Sequence, residues 1–191
     1  VPNDASASKV EISAYYEVLC PDSIRFIRTQ LLPTYSHLSK IMNINLIPYG
    51  KATTARDPAT GNYTFTCQHG EEECAGNIIH ACSVKYARTQ RSLIGFVACM
   101  MKNDRKPYVK GIICARENKL NWHSVQKCSQ NIEGKQLLAE AGEKTNALTP
   151  ALTFVPTVEL NGSRDNQNDL LTNLKEQVCK AYTGATIHAC N

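Results

Sequence analysis

No CxxC motif occurs anywhere in this 191-residue chain, although it holds nine cysteines. That absence argues against zinc, whose protein ligands usually arrive in close pairs; Cys67, Cys74 and Cys82 are spaced too widely for that. No metal and no other cofactor is expected. Long apolar runs are also missing. The longest, SLIGFVACMM (92–101), is about ten residues with its serine, and a membrane span needs roughly 20. The net charge of +4 is spread along the chain, with one small cluster, KNDRKPYVK (102–110), that reads as a solvated face. Nucleic-acid binding would need a denser basic stripe with interleaved aromatics, so no nucleic-acid partner is expected. There is no G-x-S-x-G elbow to make Ser23 a hydrolase nucleophile. The polar start, VPNDASASK, lacks a signal peptide and reads as a mature chain after cleavage.

What is present is an ordinary globular balance, 42% apolar and 20% charged. Nine cysteines in such a chain point to an oxidising compartment and to disulfides. Two glycosylation sequons, at Asn62 (Asn-Tyr-Thr) and Asn161 (Asn-Gly-Ser), agree with export. A secreted or endosomal/lysosomal location is therefore expected.

Residues 10–18 alternate at period two, with Val10, Ile12, Ala14, Tyr16 and Val18 on one face and Glu11, Ser13, Tyr15 and Glu17 on the other. From Ile24 the period becomes helical: Ile24, Ile27, Leu31, Tyr35 and Leu38 form one stripe, with Pro21 in the first turn and a kink expected at Pro33. INLIPYGKA (44–52) reads as a second strand, parallel to the first. Residues 53–66 read as a loop. From about 67 to 148 the spacing is mostly helical, and six cysteines fall there, which predicts a helical insertion stapled by disulfides. LTFVPTVELNG (152–162) returns to β, with an Asn-Gly turn leading to a further strand. NQNDLLTNLKEQVCKAY (166–182) reads as one capped helix with Leu170, Leu171, Leu174 and Val178 inward.

A strand, a cysteine at the junction, then a helix is the thioredoxin arrangement. Cys20 sits at that junction, and the partial positive charge of a helix N-terminus favours a thiolate there. Arg25 would help it and Asp22 would oppose it. Pro156, before a strand far along the chain, fits the cis-proline loop that faces the thiol in such folds. His69 and His80 are expected to make a structural hydrogen bond and to lie on a helix surface, respectively. Glu71, Glu72 and Glu73 suit a helix N-terminus.

The stretch CQHGEEECAGNIIHAC (67–82) resembles the signature of the gamma-interferon-inducible lysosomal thiol reductase (GILT) family, through Cys67, Gln68, His69, Gly70, Glu73, Cys74, Asn77 and Cys82. The resemblance covers roughly residues 10–182. It implies an α/β, thioredoxin-like fold with a helical insertion, and reduction of protein disulfides in acidic endosomes and lysosomes. The chain then reads as a single GILT-like domain over 1–191, with its thioredoxin-like core at about 10–52 and 150–182 and its insertion at about 67–148. One departure stands out. The family's active site is CxxC, and here it is Cys20-Pro21-Asp22-Ser23. Reduction by thiol exchange passes through a mixed disulfide, which a second cysteine resolves, and Ser23 cannot form that S–S bond. If Cys20 stands at the family's nucleophile position, eight cysteines remain: Cys67, Cys74, Cys82, Cys99, Cys114, Cys128, Cys179 and Cys190. They allow four bridges in on the order of a hundred pairings. Impaired dithiol reduction with a protein-binding role is expected, the alternative being a monothiol reductase or isomerase using Cys20. Either way the expected partners are proteins or disulfide-bonded protein clients.

Overall fold

The computed structural model describes residues 7–102 and 106–191. The first six residues of the polar start, and residues 103–105 of the basic cluster, lie outside them. Strand β1 (Val10–Tyr16) is the centre of a three-stranded sheet. Strand β2 (Met42–Pro48) runs parallel to it, with Val10 opposite Met42, and β5 (Thr157–Leu160) runs antiparallel, with Ile12 opposite Leu160. Val10, Ile12, Ala14 and Tyr16 are buried, as the alternation requires. The alternation then stops. β1 ends at Tyr16, and Glu17, expected on the outer face, is fully buried because the chain turns there beneath a helix described below.

Helix α1 (Pro21–Phe26) continues through a π-helical turn (Ile27–Leu31) into α2 (Leu32–Leu38). Ile27, Leu31, Tyr35 and Leu38 of the predicted stripe are buried. Pro33 has no N–H and its ring crowds the carbonyl four residues back. The chain meets this by widening the preceding turn, so that Leu32 N–H bonds five residues back to Ile27 O.

Residues 53–66 are not a loop. They form a hairpin, β3 (Thr53–Arg56) against β4 (Tyr63–Thr66), with Arg56 opposite Tyr63. In this hairpin β3 is exposed on both faces and carries no period-two pattern; only the four residues of β4, with Tyr63 and Phe65 alternating with Thr64 and Thr66, show one. Its cross-strand contacts are instead Thr53 opposite Thr66 and the Arg56 guanidinium over the Tyr63 ring.

Five helices follow: α3 (Glu71–Tyr86), α4 (Gln90–Met100), α5 (Pro107–Glu117), α6 (Trp122–Ser129) and α7 (Ile132–Asn146). Two disulfides staple them, Cys82–Cys128 between α3 and α6 and Cys99–Cys114 between α4 and α5. Cys67–Cys74 closes the turn that leads into α3. Among the described residues no helix is long and apolar enough to cross a membrane.

The last part differs from the sequence reading in two places. Asn161 and Gly162 both take positive φ, 48° and 80°, as the Asn-Gly signal predicts, but no full strand follows; a single bridge between Leu160 and Ser163 closes the turn. The final helix is two helices, α8 (Gln167–Thr172) and α9 (Leu174–Ala181), broken at Asn173. The free Leu174 N–H is taken by Gln30 Oε1 at 3.2 Å. The expected side-chain cap is also missing: Asn166 enters α8 from a left-handed conformation with no capping bond. Leu170, Leu174 and Val178 face inward, Leu171 is half-buried, and Cys179–Cys190 ties α9 to the C-terminal turn.

Candidate functional site

Cys20 caps the N-terminus of α1, its carbonyl accepting from Ile24 N–H at 2.9 Å. It is the free cysteine among the described residues and is only 8% exposed. Its thiol lies 3.8 Å from the carbonyl oxygen of Val155, and the Val155–Pro156 bond is cis. The chain thus brings together Cys20, Ser23 and the segment around Pro156. Ser23 is fully buried, and its hydroxyl oxygen accepts from the Glu17 backbone N–H at 3.3 Å. Arg25 and Asp22, expected to act on the thiol in opposite senses, form a salt bridge with each other.

The signature residues converge on the loop that carries Cys20. Glu73, Asn77 and His80 recur at the four- and three-residue steps of one helical face. That face of α3 runs alongside residues 16–19 in the opposite direction. Glu73 Oε2 accepts from Leu19 N–H at 3.2 Å, Asn77 Oδ1 accepts from Val18 N–H at 3.2 Å, and His80 Nδ1 meets the Tyr16 hydroxyl at 2.8 Å. Gly76, on the same face, makes the close approach possible: a Cβ there would sit 2.6 Å from Val18 Cγ2. The face therefore grips three of the four residues immediately before the thiol, Tyr16, Val18 and Leu19.

His80 is buried, not on a helix surface. Removal from water holds its pKa down at about 3, and the same burial holds the Tyr16 hydroxyl well above its ordinary value. Both are therefore neutral, and they share one buried hydrogen bond. Glu73 also departs from expectation. It does lie in the first turn of α3, but its side chain turns inward and is completely buried.

His69 stands between two buried carboxylates, its Nδ1 2.7 Å from Glu73 Oε2 and 3.3 Å from Glu17 Oε2. Its backbone N–H donates to Glu73 Oε1 at 3.0 Å, and Lys51 N–H donates to Glu17 Oε1 at 2.8 Å. Gln68, with its amide nitrogen facing Glu17, donates at 3.0 Å. Glu17, His69 and Glu73 bring their ligand-type atoms within 4.8 Å of one another. By donor type they suit a divalent cation, yet these oxygens are already engaged by the N–H groups just named. Burial raises the Glu17 carboxyl pKa, the Lys51 N–H pulls it back, and the Glu73 charge adds to the rise. Cys67–Cys74 and Gly70, at φ 89°, shape the turn that presents Gln68 and His69.

Glu17 and Tyr16 were not singled out in the sequence. The signal was available in one respect only: Glu17 lies within the run that leads to Cys20, and it continues an alternation that ends one residue earlier. The two sequons stand apart from the site. Asn62 is exposed in the β3–β4 connection. Asn161 is exposed in its turn, with Oδ1 accepting from Glu11 N–H at 2.9 Å.

Comparison with known proteins agrees with this arrangement. The profile of the family described as "Gamma interferon inducible lysosomal thiol reductase (GILT)" matches residues 11–132. A gamma-interferon-inducible lysosomal thiol reductase of Carassius auratus is 41% identical over 97% of this chain and 73% of its own. GILT-like protein 1 of Drosophila melanogaster is 37% identical over 97% of this chain and 80% of its own. Among solved structures, DsbA of Chlamydia trachomatis superposes with a TM-score of 0.56 at 11% identity, covering 89% of this chain and 88% of that one. Reduced DsbA1 of Neisseria meningitidis gives 0.54 at 13%, covering 93% and 88%. Those two likenesses establish a thioredoxin-like fold. The family match and the identities to its relatives establish that this chain belongs to the GILT thiol reductase family.

Proposed function

We propose that this protein binds proteins through the surface around Cys20 and does not complete dithiol disulfide reduction. The observation that carries this reading is Ser23: a hydroxyl stands three residues after the thiol, fully buried and hydrogen-bonded to Glu17 N–H. A reductase cycle requires a thiolate to attack the client disulfide, releasing one client sulfur and leaving a mixed disulfide. A second thiolate must then attack the Cys20 sulfur, displacing the remaining client sulfur as a thiolate and forming a disulfide with Cys20, and Ser23 has no sulfur to form that bond. Phe154, 47% exposed and two residues before Pro156, supplies apolar contact next to the thiol and supports protein binding there.

The unpaired Cys20 beside Val155 favours a second reading, a monothiol reductase or isomerase resolved by an external small thiol. Four disulfides, two sequons and relatives named as lysosomal thiol reductases support a secreted or endosomal/lysosomal location.

Turnover of a disulfide-linked protein substrate, at acidic and neutral pH with a recycling reductant, tests the proposal. Wild type should stall as a mixed disulfide, Ser23→Cys should turn over at least about tenfold faster, and Cys20→Ser should do neither. Wild-type turnover equal to that of Ser23→Cys would overturn the proposal in favour of the monothiol enzyme. No gain in a folded Ser23→Cys that forms the new disulfide would place the loss elsewhere in the site.

A further inference from the structure

Helix α5 has its large aliphatic side chains on the wrong side for a helix of the core. Its buried residues are small: Gly111, Cys114 and Ala115. Gly111 lies so close to Trp122 that a Cβ would meet the indole ring at 2.0 Å. Its larger aliphatics point outward. Val109, Ile112 and Ile113 are 60%, 48% and 52% exposed. At three- and four-residue spacing they form one contiguous ridge. The Cys99–Cys114 bond holds this helix in place, so its outward face is free of any packing duty.

Among the described residues the charges around the ridge are predominantly basic. Arg116, exposed, lies on the ridge one turn from Ile112 and Ile113, and Lys106 is exposed at the start of the helix. Lys110 reaches the Met100 carbonyl at 3.3 Å, which places the end of α4, with exposed Lys102 just beyond, next to the start of α5. Glu117 is the acidic residue at the border, its carboxylate 3.5 Å from Cys99 Sγ. An apolar ridge with a basic rim is the pattern of a helix that lies in a lipid interface, apolar residues in the acyl boundary and cations among anionic headgroups.

We infer that the α5 face docks on an anionic lipid bilayer surface. A second copy of this chain would set the cations of one rim against those of the other, so self-association through this face is opposed. A neutral partner would make no use of the rim. The ridge is convex and aliphatic, without the aromatic anchors and matching pocket that concentrate energy in protein interfaces, whereas a fluid interface closes around such a shape. This surface is distinct from Cys20 and does not depend on the reading of Ser23.

Co-sedimentation of the full chain with vesicles tests the inference. Wild type should bind vesicles of mixed phosphatidylcholine and phosphatidylglycerol at least about tenfold better than pure phosphatidylcholine, and high salt should release it. Val109→Ser, Ile112→Ser and Ile113→Ser together should weaken binding about tenfold, as should Lys106→Glu with Arg116→Glu. These side chains are exposed, so the variants should keep the thermal transition of wild type. Cys20→Ser should bind like wild type, which separates this result from any failure of the thiol proposal. Equal binding to neutral vesicles, or undiminished binding by the serine variant, would overturn the inference. So would an absence of vesicle binding, with or without self-association or capture of an acidic protein through the same face.

Discussion

The loop at residues 16–20 is held against α3 and the helix α5 against α4, by opposite means. The loop is gripped through hydrogen bonds from Glu73, Asn77 and His80, and none of the disulfides includes it. Helix α5 is held by a disulfide, and the residues it turns inward are small. A covalent staple fixes a position whatever its neighbours are, which leaves outward side chains free to be apolar. A hydrogen-bonded clamp fixes a position only while each donor finds its acceptor, so it remains sensitive to protons and to single atoms. The thiol stands on the sensitive side of the molecule.

The comparison can be broken most forcefully at Cys82–Cys128, which closes a 46-residue separation between α3 and α6. Chain-entropy arguments give about 4 kcal/mol for a loop of that size. Replacing both cysteines by alanine should lower stability by about that amount in urea unfolding. A loss below about 1 kcal/mol would mean that packing, not the staple, holds the insertion.

Protons should act on the clamp and leave the staples untouched. The folded-state pKa of His80 is depressed from 6.5 to about 3, so its contribution is fully present above 6.5 and is lost as pH falls. At pH 5 that amounts to about 2 kcal/mol. Glu17 acts in the other direction. Its folded-state pKa is raised, so its stabilisation is complete below 4.5 and is lost as pH rises through the raised value. His80→Gln should start less stable at neutral pH, having exchanged its bond to Tyr16, and should close the gap to wild type by about 2 kcal/mol on acidification to pH 5. Urea midpoints across pH would show this; a gap that stays constant would show that His80 is not held neutral.

The smallest change in stability should come at Asn77, and it sharpens the contrast most. Asn77→Ala orphans Val18 N–H but also removes a buried Nδ2 that has no partner among the described residues. The two effects oppose, and the net loss should be about 1 kcal/mol. The loop should nevertheless open more often, so alkylation of Cys20 under native conditions should accelerate severalfold. Removal of Cys82–Cys128 should do the reverse, with a large loss of stability and little change in Cys20 labelling beyond it. Unchanged labelling in Asn77→Ala would show that the clamp does not govern the thiol.

Legibility in the sequence followed the type of interaction. β1, β2 and the helical stripe from Ile24 to Leu38 were readable because burial of one face imposes a period. The hairpin at 53–66 was not, since β3 is exposed throughout and the alternation of Tyr63 and Phe65 with threonines in β4 spans only four residues. The break at Asn173 was hidden because Leu170, Leu174 and Val178 keep helical spacing across it. Glu17 was misplaced by extending the alternation to residue 18, two residues past the end of β1. The signature residues were visible as letters at fixed spacing, but the partners of Glu73 and Asn77 include backbone N–H groups of residues 19 and 18, and a backbone group leaves no mark in a sequence. His80 looked like a surface residue because nothing nearby in the chain announces Tyr16.

On the face of α3, Glu73 and Asn77 recognise main chain and His80 recognises the Tyr16 hydroxyl; none of them recognises sulfur. The spacing of this face is set by helix pitch and its targets lie at residues 16, 18 and 19, so it is indifferent to whether the fourth position of the thiol motif is cysteine or serine. A motif of this kind sorts chains by architecture and leaves their chemistry unsorted. Gain or loss of turnover can then occur by a change at one position while the scaffold keeps its full pedigree, and a whole signature vouches only for the mounting of the thiol.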